Sequence, residues 1–488
     1  MKLLKDILYQ SRIKHVKGTT NVAVEAVVFD SRKVVGFSLF VAVRGEQADG
    51  HLFIDKAIEL GAVAIVCEEL PEELREEITY IQVEKSREAL GYLASNFYDN
   101  PSAELKLVGI TGTNGKTTTA TMLYRLFKLL GKKVGLISTV ENRIQNEVIG
   151  ATHTTPDPVQ LNELLRRMVE AKCGYCFMEV SSHALHQHRV AGIEFAGGVF
   201  TNISRDHLDY HNTFDEYIAA KKLLFDMLPS SAFALVNLDD RQGEIMLQNC
   251  KAGEQRTYAL KAMADYKAKV IENLFSGLHV NLDGMDLYSK LVGRFNAYNI
   301  LCVYGAARLL GEEKMDVLTA LSNISPVAGR FELIKSTDGV SAIVDYAHTP
   351  DALENILATV TEIRTHNEQV ITVVGCGGNR DKGKRPEMAS IACQYSDRVI
   401  LTSDNPRNED PQAIVNDMKA GVDPVDYKKT NTILDRAEAI RMACGLAKAD
   451  DIVLIAGKGH EKYQEIKGER FPFDDLAIVV ESFKELKS

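Results

Sequence analysis

Two glycines, one lysine and four threonines are packed into the eight-residue run Thr111-Gly112-Thr113-Asn114-Gly115-Lys116-Thr117-Thr118. An apolar strand pattern at 105–110 precedes it, and a helical pattern at 120–130 follows. Glycines at a strand-to-helix turn let backbone N–H groups close around a phosphate, and the helix N-terminus adds partial positive charge. Lys116 can then reach terminal phosphates, and the Thr117 hydroxyl can face a magnesium ion. The common phosphate-loop pattern asks for another glycine at position 110. Ile110 stands there, so the loop reads G-x-x-G-K-T from Gly112. A glycine turn without a ligand is the plain alternative, but the flanking strand and helix favour a bound nucleotide.

Further along, polar groups collect where strand patterns end. Glu179 lies beside Ser181, Ser182 and His183, and the strand-like stretch 198–203 leads into Ser204-Arg205-Asp206-His207-Leu208-Asp209-Tyr210-His211. The second segment is too polar for a core. Magnesium prefers carboxylate oxygen and water to imidazole, so Glu179 is the natural ligand and His207 an unusual one. A hydrogen-bonded structural histidine is the alternative for His207.

Three more strand ends carry loops at 375–386, 402–407 and 456–461. The first is either another phosphate turn or a solvated loop with four basic residues, and Pro386 suits the first position of a helix. The second is, at its simplest, an Asn-Pro turn. Parallel strands of one sheet point their carboxyl ends to one side, so the three loops can meet in one crevice. Arg385, Arg407 and Glu461 would there present two guanidinium forks and a carboxylate. That set suits a ligand with carboxylates and an amine, such as an amino acid.

The elements that must hold these residues alternate between strand and helix almost throughout, which predicts α/β layers with largely parallel sheets. A chain of 488 residues is long enough for about three domains. Residues 1–103 form the first, with strand patterns at 22–29, 39–43, 62–67 and 80–83. Residues 104–329 form the second, around the phosphate loop. Residues 330–488 form a doubly wound third, with strands at 342–344, 370–374, 398–402 and 452–456. The net charge of −10 and the lack of a basic stripe argue against nucleic acid as a partner. No apolar run approaches the roughly 20 residues of a membrane span, and the charged start Met1-Lys2-Leu3-Leu4-Lys5-Asp6 is unlike a secretory signal. A cytoplasmic protein without a membrane partner is expected. Of eight cysteines only Cys173 and Cys176 have C-x-x-C spacing. No second pair completes a metal site, so two small residues at a helix end are expected instead.

Taken together, the motifs resemble the Mur ligases, the ATP-dependent amide-forming enzymes of peptidoglycan precursor synthesis. The resemblance spans nearly the whole chain: the Asp30-Ser31-Arg32 run, GTNGKTT, TTPD at 154–157, MEVSSHAL, SRDHLDYH, GRFNAYN at 293–299, GRFE at 329–332, DYAHTPDAL at 345–353, GNRDKGKRP, DNPR and GKGHE. Within the family the motifs most resemble members that add the third amino acid. The resemblance implies an N-terminal α/β domain for the UDP-sugar, a central P-loop domain for ATP and magnesium, and a C-terminal Rossmann-like domain for the amino acid. It implies that UDP-N-acetylmuramoyl-L-Ala-D-Glu is held by Ser31, Glu46 and Gln47 at its nucleotide end. Thr154, Thr155, Ser181, Gln187 and Arg189 would hold its sugar-peptide. Asn296, Arg330, Asp345 and His348 would assist Gly112 to Thr118 with ATP. Lys221 matches a lysine that the family carries as a carbamate, an added oxygen ligand for magnesium beside Thr117, Glu179 and His207. Lys116, His207 and Lys221 form the expected catalytic set.

Asp404-Asn405-Pro406-Arg407 is the motif typical of members that add meso-diaminopimelate; Arg385, Gly457 and Glu461 would complete that pocket. Arg407 could pair bidentately with the distal carboxylate. A buried arginine left unpaired by lysine would cost about 2–5 kcal/mol. A lysine-adding member, a folylpolyglutamate synthase-like ligase, a simple P-loop ATPase or kinase, and an inactive nucleotide-binding regulatory module are the alternatives. The resemblance further implies an acyl phosphate intermediate, domain closure over the site and a monomer.

Overall fold

The computed structural model describes residues 1–45 and 48–485, so the expected Glu46-Gln47 turn lies outside the described residues. Three sheets organise it. The first has five strands in the order Ile13–Lys17, Thr79–Val83, Ala62–Cys67, Ser38–Val41, Ala26–Val28. All its pairings are parallel except that of the edge strand Ile13–Lys17. The sequence pattern at 22–29 is not one strand. Ala23–Val24 pairs with Lys2–Leu3, and Ala26–Val28 joins the five-stranded sheet. The Glu25 N–H between them bonds to the Phe37 carbonyl, so the chain changes sheets at that residue.

The second sheet has eleven strands. Its parallel heart places Lys106–Thr111 between Tyr175–Glu179 and Gly197–Phe200, so the three polar clusters after them emerge at one edge. Helix Lys116–Leu129 follows the phosphate loop and buries Ala120, Leu123 and Phe127 in a core shared with helix Arg294–Leu309. A meander of Tyr266–Leu274, Gly277–Leu282 and Met285–Ser289 ends the sheet. Cys173 lies in the turn after helix Pro158–Glu170, while Cys176 lies within strand Tyr175–Glu179. Both pack in the apolar core, and burial pushes both thiols up. Only Cys173 is thus near a helix end.

The third sheet runs Glu332–Lys335, Ser341–Asp345, Ile452–Ala456, Val370–Cys376, Arg398–Ser403, Thr430–Thr432, parallel except at its first strand. Its four inner strands are buried and largely apolar because helices cover both faces, whereas the edge strands Glu332–Lys335 and Thr430–Thr432 are more polar and partly exposed. Helix Lys384–Tyr395 begins two residues before Pro386, so the proline is third rather than first. It still lies in the first turn, where a missing N–H breaks no intrahelical bond. Among the described residues no helix is long and apolar enough to cross a membrane.

Candidate active site

The phosphate loop is built by close backbone approach. Gly112 has φ +149°, and a Cβ there would come within 1.9 Å of Thr201 Oγ1. Gly115 has φ +83° and starts the helix. Asn202 clamps the loop from the neighbouring strand end: its side-chain oxygen accepts from Asn114 N (2.9 Å) and its carbonyl from Thr113 N (2.7 Å). Lys116 Nζ donates to the carbonyls of Gly112 (2.9 Å) and Thr113 (2.8 Å). Lys221, 1% exposed, donates to the same Gly112 carbonyl (2.7 Å) and sits 4.4 Å above the Tyr217 ring. Burial pulls both amines below their usual range. For Lys221 the charge of Lys116 adds to the effect, and for Lys116 the carboxylates of Glu179 and Asp206 oppose it.

Beside the loop, Glu179 is fully buried. One carboxylate oxygen accepts from the hydroxyls of Thr117 (2.9 Å) and Thr139 (3.3 Å), the other from Thr139 N (2.8 Å). A buried carboxylate ringed by hydroxyls is a hard oxygen donor set and fits magnesium. Among the described residues no three His, Cys, Asp or Glu side chains converge as a metal cage. Magnesium usually relies on one or two carboxylates, water and phosphate, so the two observations agree. His207 takes a left-handed backbone (φ +54°), with Nε2 3.4 Å from Asp206 Oδ2. Burial holds its imidazole well below the ordinary histidine range, leaving it neutral. A non-glycine residue in that conformation costs on the order of 1–3 kcal/mol, and such strain clusters at functional sites.

The third domain closes on this loop. Arg330 Nη2 donates to Thr117 Oγ1 (3.1 Å), with its guanidinium 4.6 Å from the Tyr346 ring. Asp345 accepts from Phe331 N (2.6 Å), and burial pushes it up to about 6 against the pull of Arg330. Burial lowers His348 to about 4, and its Nδ1 lies 2.9 Å from the Tyr346 carbonyl. Asp351 accepts from Asn114 Nδ2 (2.6 Å) and Ser204 Oγ (3.3 Å), tying the third domain directly to the phosphate loop. The cleft between them measures about 830 Å³ and is lined from both domains.

The three C-terminal loops do meet there. Asp404, Asn405, Arg407, Gly457 and Glu461 line the cleft. Arg407 (φ +50°) donates through Nη1 to the Gly378 carbonyl (2.8 Å), and its Nε lies 3.5 Å from Glu465. The hairpin Tyr463–Ile466/Glu469–Pro472 fixes its backbone: Arg407 N bonds to Glu465 O (3.0 Å), and Lys467 N to Arg407 O (2.7 Å). Pro406 lies off the cleft wall, and so does Arg385. The Arg385 guanidinium, 1% exposed, is taken up by Glu409 (2.9 and 3.0 Å) and Asp417 (2.8 Å).

The expected sugar-peptide residues divide. Thr154 and Ser181 line the cleft. Thr155 is fully buried behind it, donating to the Glu179 carbonyl (2.9 Å) and accepting from Ser181 N (3.1 Å). Arg189 donates to the Thr155 carbonyl (3.0 Å) and, through two nitrogens, to Gln187 Oε1 (3.0 and 2.7 Å). Ser31 opens a short turn in the N-terminal domain, capped by Asp30, away from the cleft. Asn296 is buried, bonded to the Val292 carbonyl (2.8 Å) and to Asn299 (2.9 Å); Asn299, one helical turn on, lines the cleft instead. Sequence reasoning gave no role to Asp206, Asp351 or Lys384, which also line it. All three lie inside motifs quoted for the resemblance, and that was the available signal.

Three family descriptions match the chain: "Mur ligase family, catalytic domain" over residues 23–98, "Mur ligase middle domain" over 110–307, and "Mur ligase, glutamate ligase domain" over 329–459. The chain is 59% identical to UDP-N-acetylmuramoyl-L-alanyl-D-glutamate–2,6-diaminopimelate ligase of Cytophaga hutchinsonii, over 98% of both chains. It is 54% identical to the protein of the same name in Bacteroides fragilis, over 98% of this chain and 99% of that one. A solved structure of that name has a TM-score of 0.67 and 33% identity, covering 95% of this chain and 96% of the other.

Proposed function

The chain belongs to the Mur ligase family, and from that premise we propose that the cleft joins an amino acid to an activated carboxyl group, with the following residues in the following roles. The protein is a diaminopimelate-adding ligase of peptidoglycan precursor synthesis. The observation that carries the reading is the contact of Arg330 with Thr117, which brings a phosphate loop and an amino-acid pocket into one cleft. The γ-carboxylate of the D-Glu in UDP-N-acetylmuramoyl-L-Ala-D-Glu attacks the γ-phosphorus of ATP, and the bond to the ADP oxygen breaks. The amine of meso-diaminopimelate, having lost its ammonium proton, adds to the acyl carbon of the resulting acyl phosphate. Inorganic phosphate leaves as the nitrogen gives up a second proton to it, and the amide remains.

Positioning and charge neutralisation supply most of the rate in such chemistry. Lys116 neutralises the transferring phosphoryl group, and the amides from Gly112 to Thr118 cradle the phosphates beside it. Thr117 and Glu179, with His207 and a Lys221 carbamate, would hold magnesium, which as a Lewis acid offsets charge on the phosphate oxygens. Burial, which pulls the Lys221 amine below its usual range, favours the carbamate, because only the free amine adds carbon dioxide, releasing a proton. Arg330, Asp345 and His348 arrive with domain closure and exclude water around ATP. Arg407 takes the distal carboxylate of diaminopimelate, Asn405 orients it, and Asp404, Gly457 and Glu461 line the amine side. Arg385 acts from behind the wall by fixing Glu409. Thr154 and Ser181 face the sugar-peptide. Soluble substrates of this kind are met in the cytoplasm.

The test is phosphate release with ATP, magnesium and UDP-N-acetylmuramoyl-L-Ala-D-Glu, comparing meso-diaminopimelate with L-lysine. Release with diaminopimelate alone is expected. Release with lysine alone would keep the ligase and overturn the role given to Arg407, and release with neither would overturn the ligase reading.

A further inference from the structure

Lys458 follows strand Ile452–Ala456 and has none of its side chain exposed. Its Nζ donates to Asn405 Oδ1 (2.9 Å) and Glu461 Oε2 (3.0 Å), and lies 3.8 Å from Asp404 Oδ1. These three partners line the cleft, whereas Lys458 does not. An ammonium so deeply placed is tolerable only when its donors are filled by oxygen.

The consequences for Asn405 are specific. Its Oδ1 also accepts from Glu465 N (2.9 Å), so both lone pairs are occupied, and its Nδ2 donates to Glu461 Oε2 (2.8 Å). Turning the amide over would set its NH₂ against the Lys458 ammonium and its oxygen against the Glu461 carboxylate. Glu461 is fixed by the same contacts: Oε2 takes two donors, and Oε1 has the Tyr346 hydroxyl at 3.5 Å. One buried cation thereby sets which atoms are donor and acceptor on two pocket residues and offsets two neighbouring carboxylates.

We propose that Lys458 is a positioning residue for amino-acid selection, holding Asn405 and Glu461 in the single arrangement that accepts a ligand end bearing both a carboxylate and an amine. The proposal rests on the amide-ligase reading above. Without the ammonium, Asn405 keeps only its contacts with Glu465 N and Glu461, and Asp404 and Glu461 lose the cation between them, so the pocket is held less firmly and loses discrimination before the phosphate loop is affected.

The test compares steady-state constants of the full-length wild type, Lys458→Met and Lys458→Gln with each of the three substrates varied, and with lysine replacing diaminopimelate. The Met variant should raise KM for diaminopimelate about 30-fold and lower its preference over lysine, as expected for an unmade charge-assisted contact. KM for ATP and for the UDP-sugar peptide should move less than about twofold, since Lys458 touches neither set of residues. The Gln variant, keeping a neutral donor group in place of the cation, should fall between. A loss of kcat with every KM unchanged, or failure of both variants to fold, assigns Lys458 to stability alone and overturns the proposal, as does an unchanged KM for diaminopimelate. A wild type inactive with diaminopimelate would instead overturn the underlying reading.

Discussion

At the central-domain wall, Lys116 turns inward against backbone carbonyls, whereas Arg407 at the C-terminal wall, and Arg385 and Lys458 behind it, each face a carboxylate. The difference separates two uses of positive charge. A cation held by carbonyl dipoles keeps its net charge for an incoming polyanion, and in a desolvated cleft that charge acts strongly. A cation already paired adds little net field but fixes geometry, which is what selection between similar amino acids requires. Damage to the first wall should therefore appear in turnover, and damage to the second in selectivity and stability.

The largest expected effect is that of Lys116→Met, which should lower kcat about 1,000-fold while the circular dichroism spectrum and Tm stay near those of the wild type. Activity within tenfold of wild type would break the division between the walls. Lys221→Met should cost about 100-fold, as for loss of one stabilising group at a developing charge. Carbon-13-labelled bicarbonate should give a carbamate signal in the wild type and none in this variant. A wild type without that signal would remove the carbamate from the site.

Much of the first wall was legible in the sequence because its determinants are local. Gly112, Gly115 and Lys116 lie within five residues, and the strand before them and helix after them have clear periodicity. Glu179 could be read at a strand end for the same reason. The second wall was legible as three loops on one sheet edge, with Arg407 and Glu461 among their side chains, but not in how its charges pair. That Arg385 is consumed by Glu409 and Asp417 is a long-range pairing, and no spacing in the sequence reports it. Lys221 looked like any helix-face lysine until packing against Tyr217 buried it. Asn296 and Asn299 differ by one helical turn, and only the placement of helix Arg294–Leu309 decides which one faces the cleft.

Smaller effects sharpen the contrast on the C-terminal side. Glu409→Gln should lower unfolding stability by about 2 kcal/mol, because Arg385 loses a bidentate partner and keeps Asp417 and the Gly377 carbonyl. Urea unfolding reads this, and an unchanged midpoint would mean that the pair is not formed. The Arg385 hydrogen bonds hold Glu409 at about 2, against an ordinary value of 4.5, with burial opposing. A carboxylate lowered in this way contributes stability that is full above the unfolded value. That contribution should vanish as pH falls from about 4.5 through about 2, following proton linkage. The acid slope of stability should flatten in the Gln variant.

The most direct measurement of the division between the walls is the ratio of kcat/KM for diaminopimelate to that for lysine in wild type and Arg407→Met, with KM for ATP measured alongside. The assignment predicts that the ratio falls about 100-fold in the variant, through loss of diaminopimelate use, while KM for ATP stays within twofold. Equal losses for both amino acids, or a KM for ATP that rises with them, would contradict it.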